Sequence, residues 1–578
     1  MDVIKRGISY LKPYSLLAIG AFISVLIVTA TNLYVPQLIQ QLIDDGIEGQ
    51  NWNGILWAAG GLLIMALVRG LFSFTNTYWS AESSQGIAFD LRNEIFEKLE
   101  TLSFSYHDTH QTGQLMTRTT SDVESVRVFF SQGLLQLVSA VITFVGSIVI
   151  LFITDWRLTL AVLTTIPLII GIFIFLFSRM GPLFGQVQKM LGLLNNILQE
   201  NIAGMRVVKS FTAEPFELNR YRAQNDLLYQ KNLNVARYFS TGFPTVFLLS
   251  NLGTLIVIWY GGNLVISNEL QLGQLIAFNS YLAYLLMPIF QLGGLSQQMA
   301  SATASGKRLF EILDTENEIA SPSNAIRLTP DMPGRVVFEN VSFAYQGSDE
   351  NVLSDISFDA SPGHTIALLG ATGSGKSSIV NLIPRFYDTT AGRILIDGND
   401  VRQYDLDTLR QQVGSCLQEV TLRSGTIREN IVFGKPDATL EEVVEAAKIA
   451  QAHDFILQQP EGYETQVGER GSGLSGGQRQ RVAIARVLLV NPSIIIFDDS
   501  MSALDAETEQ KLKGALRPFL EKSTAIIIAQ RIATVRSADQ ILVIDQGKII
   551  GRGTHEELLE HSAIYNEIVS SQLEEEPA

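Results

Sequence analysis

The stretch IALLGATGSGKSS, residues 366–378, decides the reading of the C-terminal half of the chain. An apolar run enters a glycine-rich turn, and the turn leads into Lys376, Ser377 and Ser378. The order matches G-x-x-x-x-G-K-[ST] in the context that pattern requires, a strand before it and a helix after it. The physics is direct. Gly370, Ala371, Thr372, Gly373, Ser374 and Gly375 form a loop whose backbone N–H groups can curl around phosphate oxygens. The helix that follows turns its positive end toward the same anions. Lys376 is placed to reach the β- and γ-phosphates of a nucleotide such as ATP, and the Ser377 hydroxyl to ligate Mg2+, with Ser378 completing the candidate contacts.

Working outward, short Val/Ile/Leu runs alternate with helical stretches: VVFENVSF, TIALLG, RILIDG, SIIIFDD, TAIIIA and QILVID. That alternation predicts an α/β domain over 334–578. In IIIFDDSMSALD, residues 494–505, a buried strand ends in Asp498 and Asp499. With a phosphate loop upstream, Asp498 is expected to hold the Mg2+ shell together with Ser377. A polar, proline-containing stretch at 316–333 reads as a linker.

The N-terminal part, 1–315, has another solvent. Six apolar runs, near 15–38, 55–78, 132–153, 158–177, 243–262 and 274–297, are long enough to cross a bilayer, which needs about 20 residues. Lys5, Arg6 and Lys12 precede the first run, and a retained membrane helix fits it better than a cleaved signal peptide. Basic segments alternate with acidic or neutral ones: Arg92 to Arg127 and Lys189 to Arg237 on one side, Asp44, Asp45 and Glu48 on the other. That asymmetry places both termini in the cytoplasm. The two basic segments are longer than loops need to be, which predicts helices continuing beyond the membrane as stalks. Asn32, Arg69, Asn251, Asn279 and Gln291 lie inside the apolar runs and read either as packing or as functional polar residues. Phe278, Tyr281 and Tyr284 read either as cavity lining or as helix packing.

Bulk composition sets limits. Hydrophobic residues make up 47% of the 578, and the formal net charge is −16. An acidic chain is a poor partner for nucleic acid, which needs a basic surface. The single cysteine, Cys416, allows neither an internal disulfide nor a cysteine-rich metal site.

Residues 468–486 read GERGSGLSGGQRQRVAIAR. Leu474, Ser475, Gly476, Gly477 and Gln478 resemble the signature motif of ATP-binding-cassette transporters. Tyr345 in VSFAY matches the aromatic residue that stacks on adenine, and Gln418 in CLQE the glutamine that joins the Mg2+ site to the membrane domain. SALD at 502–505, with Asp505, resembles the D-loop, and VGERG at 467–471 the exporter X-loop. GQLMTRTTSDV at 113–123 and ENIAGMRVVKSFTAE at 200–214 resemble the two intracellular loops of exporters. The resemblance covers nearly the whole chain. It implies an exporter-type half-transporter: an all-α transmembrane domain of six helices fused to a P-loop nucleotide-binding domain. It also implies a bacterial inner-membrane location and dimers in which each ATP lies between the phosphate loop of one chain and the signature of the other.

Two positions depart from the family's pattern. Asp499 stands where a glutamate usually polarises the attacking water, and Gln530 where the switch histidine usually sits. A general base must lie within about 2.6–3.2 Å of the proton it accepts, and one lost methylene withdraws the carboxylate by about 1.5 Å. Both changes fall in one half-site, while the phosphate loop and the signature match the family. The expectation is a degenerate hydrolytic half-site, a second half-transporter as heterodimer partner, and efflux of amphipathic small molecules past membrane lipid. The alternatives are a homodimeric lipid flippase or exporter, a siderophore importer, and a regulatory subunit.

Overall fold

The computed structural model describes residues 2–329, 332–348, 350–529 and 531–574. The chain divides into two compact units, one of Met1–Glu100 with Gly113–Thr315, the other of Thr101–Thr112 with Glu316–Ala578.

The first unit holds six helices long and apolar enough to cross a membrane: α1 (Ser15–Glu48), α2 (Trp52–Thr101), α3 (Thr112–Thr154), α4 (Trp156–Ala203), α5 (Glu214–Ile266) and α6 (Leu272–Asp314). Each contains one of the apolar runs read from sequence. At 1.5 Å rise per residue the 50 residues of α2 extend about 75 Å, far beyond the roughly 30 Å of a hydrocarbon core. The predicted stalks are the polar remainder of these helices. The chain is a multi-pass membrane protein.

The core of this unit joins α3, α4, α5 and α6 through Leu151, Leu158, Ile169, Val246, Phe278, Leu282 and Leu285. Phe278 and Tyr281 are fully buried, and the Tyr281 hydroxyl donates to the Leu33 carbonyl at 2.6 Å. These aromatics are helix packing. A cleft of about 540 Å³ is walled instead by Val141, Phe144, Phe173, Phe177 and Ile289 of α3, α4 and α6. Outside the apolar runs, Asp122 is buried and accepts from Ser305 Oγ at 2.8 Å and Arg308 Nε at 2.8 Å, fixing α3 to α6.

The second unit is built on two larger sheets, with a further two-stranded pair of Gly425–Thr426 and Gln466–Val467. Strands β1 (Val336–Phe343), β2 (Leu353–Ala360) and β4 (Ala391–Ile396) form an antiparallel sheet, with Asn399–Asp400 at its edge. The six-stranded sheet contains β3 (Thr365–Leu369), β5 (Val413–Cys416), β6 (Ile494–Asp498), β7 (Thr524–Ile528), β8 (Gln540–Asp545) and β9 (Lys548–Gly553). Its order is β9-β8-β3-β7-β6-β5, parallel except for β9. The parallel strands are near-continuous apolar runs because helices cover both faces. Register aligns Leu368, Ile528 and Asp498 across β3, β7 and β6, so the phosphate loop and the acidic pair leave the same edge of the sheet. Crevices outside the carboxyl ends of such strands are where open α/β sheets bind ligands.

Candidate nucleotide site

The loop Gly370–Gly375 joins β3 to α7 (Lys376–Leu382). Gly375 has φ of 102°, in the left-handed region, and a Cβ there would lie 2.6 Å from a Leu353 methyl. Only glycine meets both conditions. Lys376 Nζ lies inside the loop and donates to Gly370 O at 2.9 Å, Ala371 O at 2.7 Å and Ser374 Oγ at 3.3 Å. Among the described residues no carbonyl accepts from the N–H of Gly373, Gly375, Lys376 or Ser377. Four backbone donors without a carbonyl partner and a buried ammonium, in one loop, suit a polyanion. Burial pushes the Lys376 pKa down, and Asp498 and Asp499 pull against it.

Ser377 Oγ donates to Asp498 Oδ2 at 3.1 Å, so the structure brings these two expected partners together. Asp498 is buried, and burial raises its pKa against the Ser377 hydrogen bond. Tyr345 also joins the site: its hydroxyl lies 3.0 Å from Ser378 Oγ, and its ring meets Tyr387 edge-on at 5.3 Å. Gln418 is exposed two residues beyond β5, whose Cys416 is in register with Phe497. Gln530 lies outside the described residues.

Asp499 takes φ of 45°, a left-handed conformation that aspartate tolerates better than most residues with a Cβ. Its N–H donates to Ile528 O at 3.0 Å, and its carbonyl accepts from Ser502 Oγ at 2.8 Å. Asp499 lines a small cleft with Glu509, Arg531 and Thr534. Burial raises its pKa, opposed by the Arg531 charge.

The signature lies elsewhere. Ser475 caps α8 (Gly476–Val490): its Oγ accepts from Gln478 N at 3.3 Å, and Gln478 Oε1 accepts from Ser475 N at 2.8 Å. Ser475 is exposed and Leu474 buried. Gly477 faces the D-loop, where a Cβ would stand 3.0 Å from Ala503 O, and Gln480 Oε1 accepts from Ala503 N at 3.3 Å. Asp505 caps α9 (Ala506–Leu520) by accepting from Thr508 N at 2.9 Å. α8 packs into a core with Leu474, Val482 and Phe497, whereas α7 packs into another with Ile366, Ile379 and Ile396. Phosphate loop and signature thus stand on different cores.

Sequence reasoning missed Arg531, Phe104, Asp108 and Tyr387. Phe104 and Asp108 belong to a short helix, Phe104–Thr109, whose Phe104 packs on Phe386 at 4.6 Å between ring centroids. The pair Phe386-Tyr387, following α7, was the available signal.

Residues 18–289 match the family model of the ABC transporter transmembrane region, and residues 353–502 match the ABC transporter model. YknU of Bacillus subtilis, an ABC transporter ATP-binding protein, is 39% identical over 99% of this chain and 98% of its own length. The chain belongs to the ABC exporters. YgaD of Bacillus subtilis, named for multidrug export as an ATP-binding/permease protein, is 37% identical over 99% of this chain and 100% of its own length. An ATP-dependent lipid A-core flippase of Syntrophus aciditrophicus is 34% identical over 100% of this chain and 95% of its own. A solved bacterial Atm1-family ABC exporter with ATP bound is similar with a TM-score of 0.81 and 30% identity, over 98% of this chain and 99% of that one. As an ABC exporter half-transporter, the chain binds ATP and couples its hydrolysis to transport.

Proposed function

We propose that this exporter half works in a heterodimer that expels amphipathic small molecules from a bacterial cell across the inner membrane, with its termini in the cytoplasm. Its own phosphate-loop site binds ATP but hydrolyses it slowly. Its signature completes a competent site on the partner.

The observation that carries this is Asp499. The residue expected to activate water is one methylene short; it lines a small cleft with Arg531 and Glu509 and also feels the charge of Lys376 in the phosphate loop. Phosphoryl transfer depends on positioning, and a displacement of this order costs about 10²-fold in rate. The binding half is built by contrast: Lys376, Ser377 and Asp498 converge, and Ser475 keeps its capping geometry. Oxygen donors from Ser377 and Asp498 suit Mg2+, which prefers one or two protein oxygens beside phosphates and water. When bound there, the cation would offset charge on the β- and γ-phosphates. Gln418, beyond the end of β5, is the third residue assigned to this site, and Tyr345 offers the aromatic face for adenine. Leu474, Ser475, Gly476, Gly477 and Gln478 would meet the partner's nucleotide, because signature and phosphate loop stand on separate cores within one chain.

The apolar cleft walled by Phe144, Phe173 and Phe177 supports an amphipathic cargo. A second reading, lipid flipping, is favoured by the full-length similarity to a lipid A-core flippase.

The test is nucleotide retention. The active complex is turned over with a photoreactive, α-labelled ATP and cross-linked. This chain is expected to carry label as triphosphate while the partner carries diphosphate. Diphosphate in equal amounts on both chains would overturn the proposal.

A further inference from the structure

The membrane unit contains another cavity, of about 350 Å³, between α1, α2 and α3. Its lining differs from that of the apolar cleft. Asn76, Gln132, Gln136, Thr29 and Ser139 are among the residues that line it, with Val28 among the apolar neighbours. Polar side chains at this density are costly in helices that cross a membrane, and they are commonly kept for a ligand or pathway.

Three features show a shaped site. Asn76 Oδ1 is buried with no hydrogen-bond partner among the described residues. An unmatched buried acceptor of this kind costs about 1–3 kcal/mol unless something donates to it. Thr29 Oγ1 and Ser139 Oγ lie 3.0 Å apart, tying α1 to α3 at the cavity wall. The α3 backbone from Phe129 to Gly133 is π-helical, a local widening that occurs often at functional sites. Gln132, within that widening, lines the wall, and the Ser131 carbonyl accepts from Ser80 Oγ.

Charge narrows the ligand class. Arg127 is the charged residue in the wall, and Glu124 holds it through two hydrogen bonds, Nε at 2.8 Å and Nη2 at 2.5 Å. An anion would find this guanidinium already neutralised. A cation would find no carboxylate in the wall to pair with. What remains is a dense set of neutral donors and acceptors in a volume that admits a hexose-sized group.

We propose that this cavity binds the uncharged, hydroxyl-rich head group of an amphiphile, of the hexosyl type. The proposal deepens the export reading and rests on it for the ligand's route, although binding itself is measured separately.

The probes are octyl β-glucoside, octyltrimethylammonium and octyl sulfate, all below their micellar concentrations. Equilibrium binding of each labelled probe is measured on the full-length chain in phospholipid nanodiscs. The glucoside is expected to bind saturably. Asn76→Leu and Gln136→Leu should each weaken it about tenfold, by loss of hydrogen bonds to the head group, while Asn76→Gln retains part of the affinity. Binding of the two charged probes should not change. Absence of saturable glucoside binding would mean a cavity filled by water only and would overturn the proposal, as would variants that shift all three probes alike. If Asn76→Leu fails to fold, Gln136→Leu and Asn76→Gln decide between these outcomes. ATP-driven uptake into inverted vesicles separates the two readings. Asn76-dependent binding without uptake keeps the site and removes export of this class. Uptake that ignores Asn76 and Gln136 keeps export and removes the site.

Discussion

The hydroxyl of Tyr387 donates a 2.6 Å hydrogen bond to Asp108, 279 residues earlier in the chain. Asp108 lies on the short helix Phe104–Thr109 between α2 and α3, and that helix packs with the nucleotide-binding unit rather than the membrane unit. Tyr387 in turn touches Tyr345, whose hydroxyl meets Ser378. A continuous set of contacts therefore runs from Ser378, beside the phosphate loop, through Tyr345 and Tyr387 to a segment covalently continuous with two membrane helices.

Asp108→Ala should uncouple the machine. It removes the acceptor of an exposed hydrogen bond, a loss of about 1 kcal/mol at most. Transport per ATP hydrolysed is expected to fall several-fold with ATP affinity unchanged. Parallel measurement of uptake and ATPase in vesicles checks this.

Asp499→Glu should raise hydrolysis at this chain's site by up to about 10²-fold, because the added methylene restores reach to the attacking water. Single-turnover hydrolysis by the assembled complex, with the partner's own site inactivated, reads the gain. The left-handed φ of 45° at Asp499 sets a cost, since glutamate tolerates that region less well than aspartate.

Gly477→Ala should damage the signature without affecting this chain's own nucleotide binding. The new Cβ would press on Ala503 O at 3.0 Å and a Leu504 methyl at 3.2 Å. Turnover by the complex should drop at least tenfold, while nucleotide affinity at the phosphate loop of this chain stays the same.

Cys416 should resist alkylation in the native protein. It is buried, and burial pushes its thiol up to about 12, with Ser500 and Arg486 opposing. The folded state thus holds the proton where the unfolded thiol, with a pKa of about 8.5, begins to lose it. Stability consequently falls as pH rises above about 8.5, since the unfolded chain then binds fewer protons than the native one. Maleimide labelling at pH 8 should track unfolding, with a rate that rises steeply on heating and is negligible in the native state.

Much of the fold was legible in the sequence, for reasons that differ by region. The six membrane helices announce themselves because lipid demands about 20 apolar residues in a row, and no tertiary contact overrides that. The phosphate loop is legible because glycines, lysine and hydroxyl must be adjacent to wrap one group. Asp498 and Ser377, 121 residues apart, meet at 3.1 Å, a pairing that no local pattern encodes and that rested on the motif order of the family. The role of 101–112 was not legible: its contacts with Phe386 and Tyr387 are tertiary, and nothing local separates it from the stalk helices beside it. The polar cavity was hidden for a similar reason. Asn76, Gln132 and Thr29 are spread over three helices, and only packing brings them to one wall.

The most direct test of the degenerate half-site is Mg2+-dependent ATPase activity in lipid, first for this chain alone and then for the complex with its partner. A degenerate half-site predicts near-background turnover alone and strong turnover in the complex, lost when Ser475→Ala is introduced in this chain. Vigorous, cooperative hydrolysis by this chain alone would contradict it and make Asp499 a working catalytic base in a homodimeric pump.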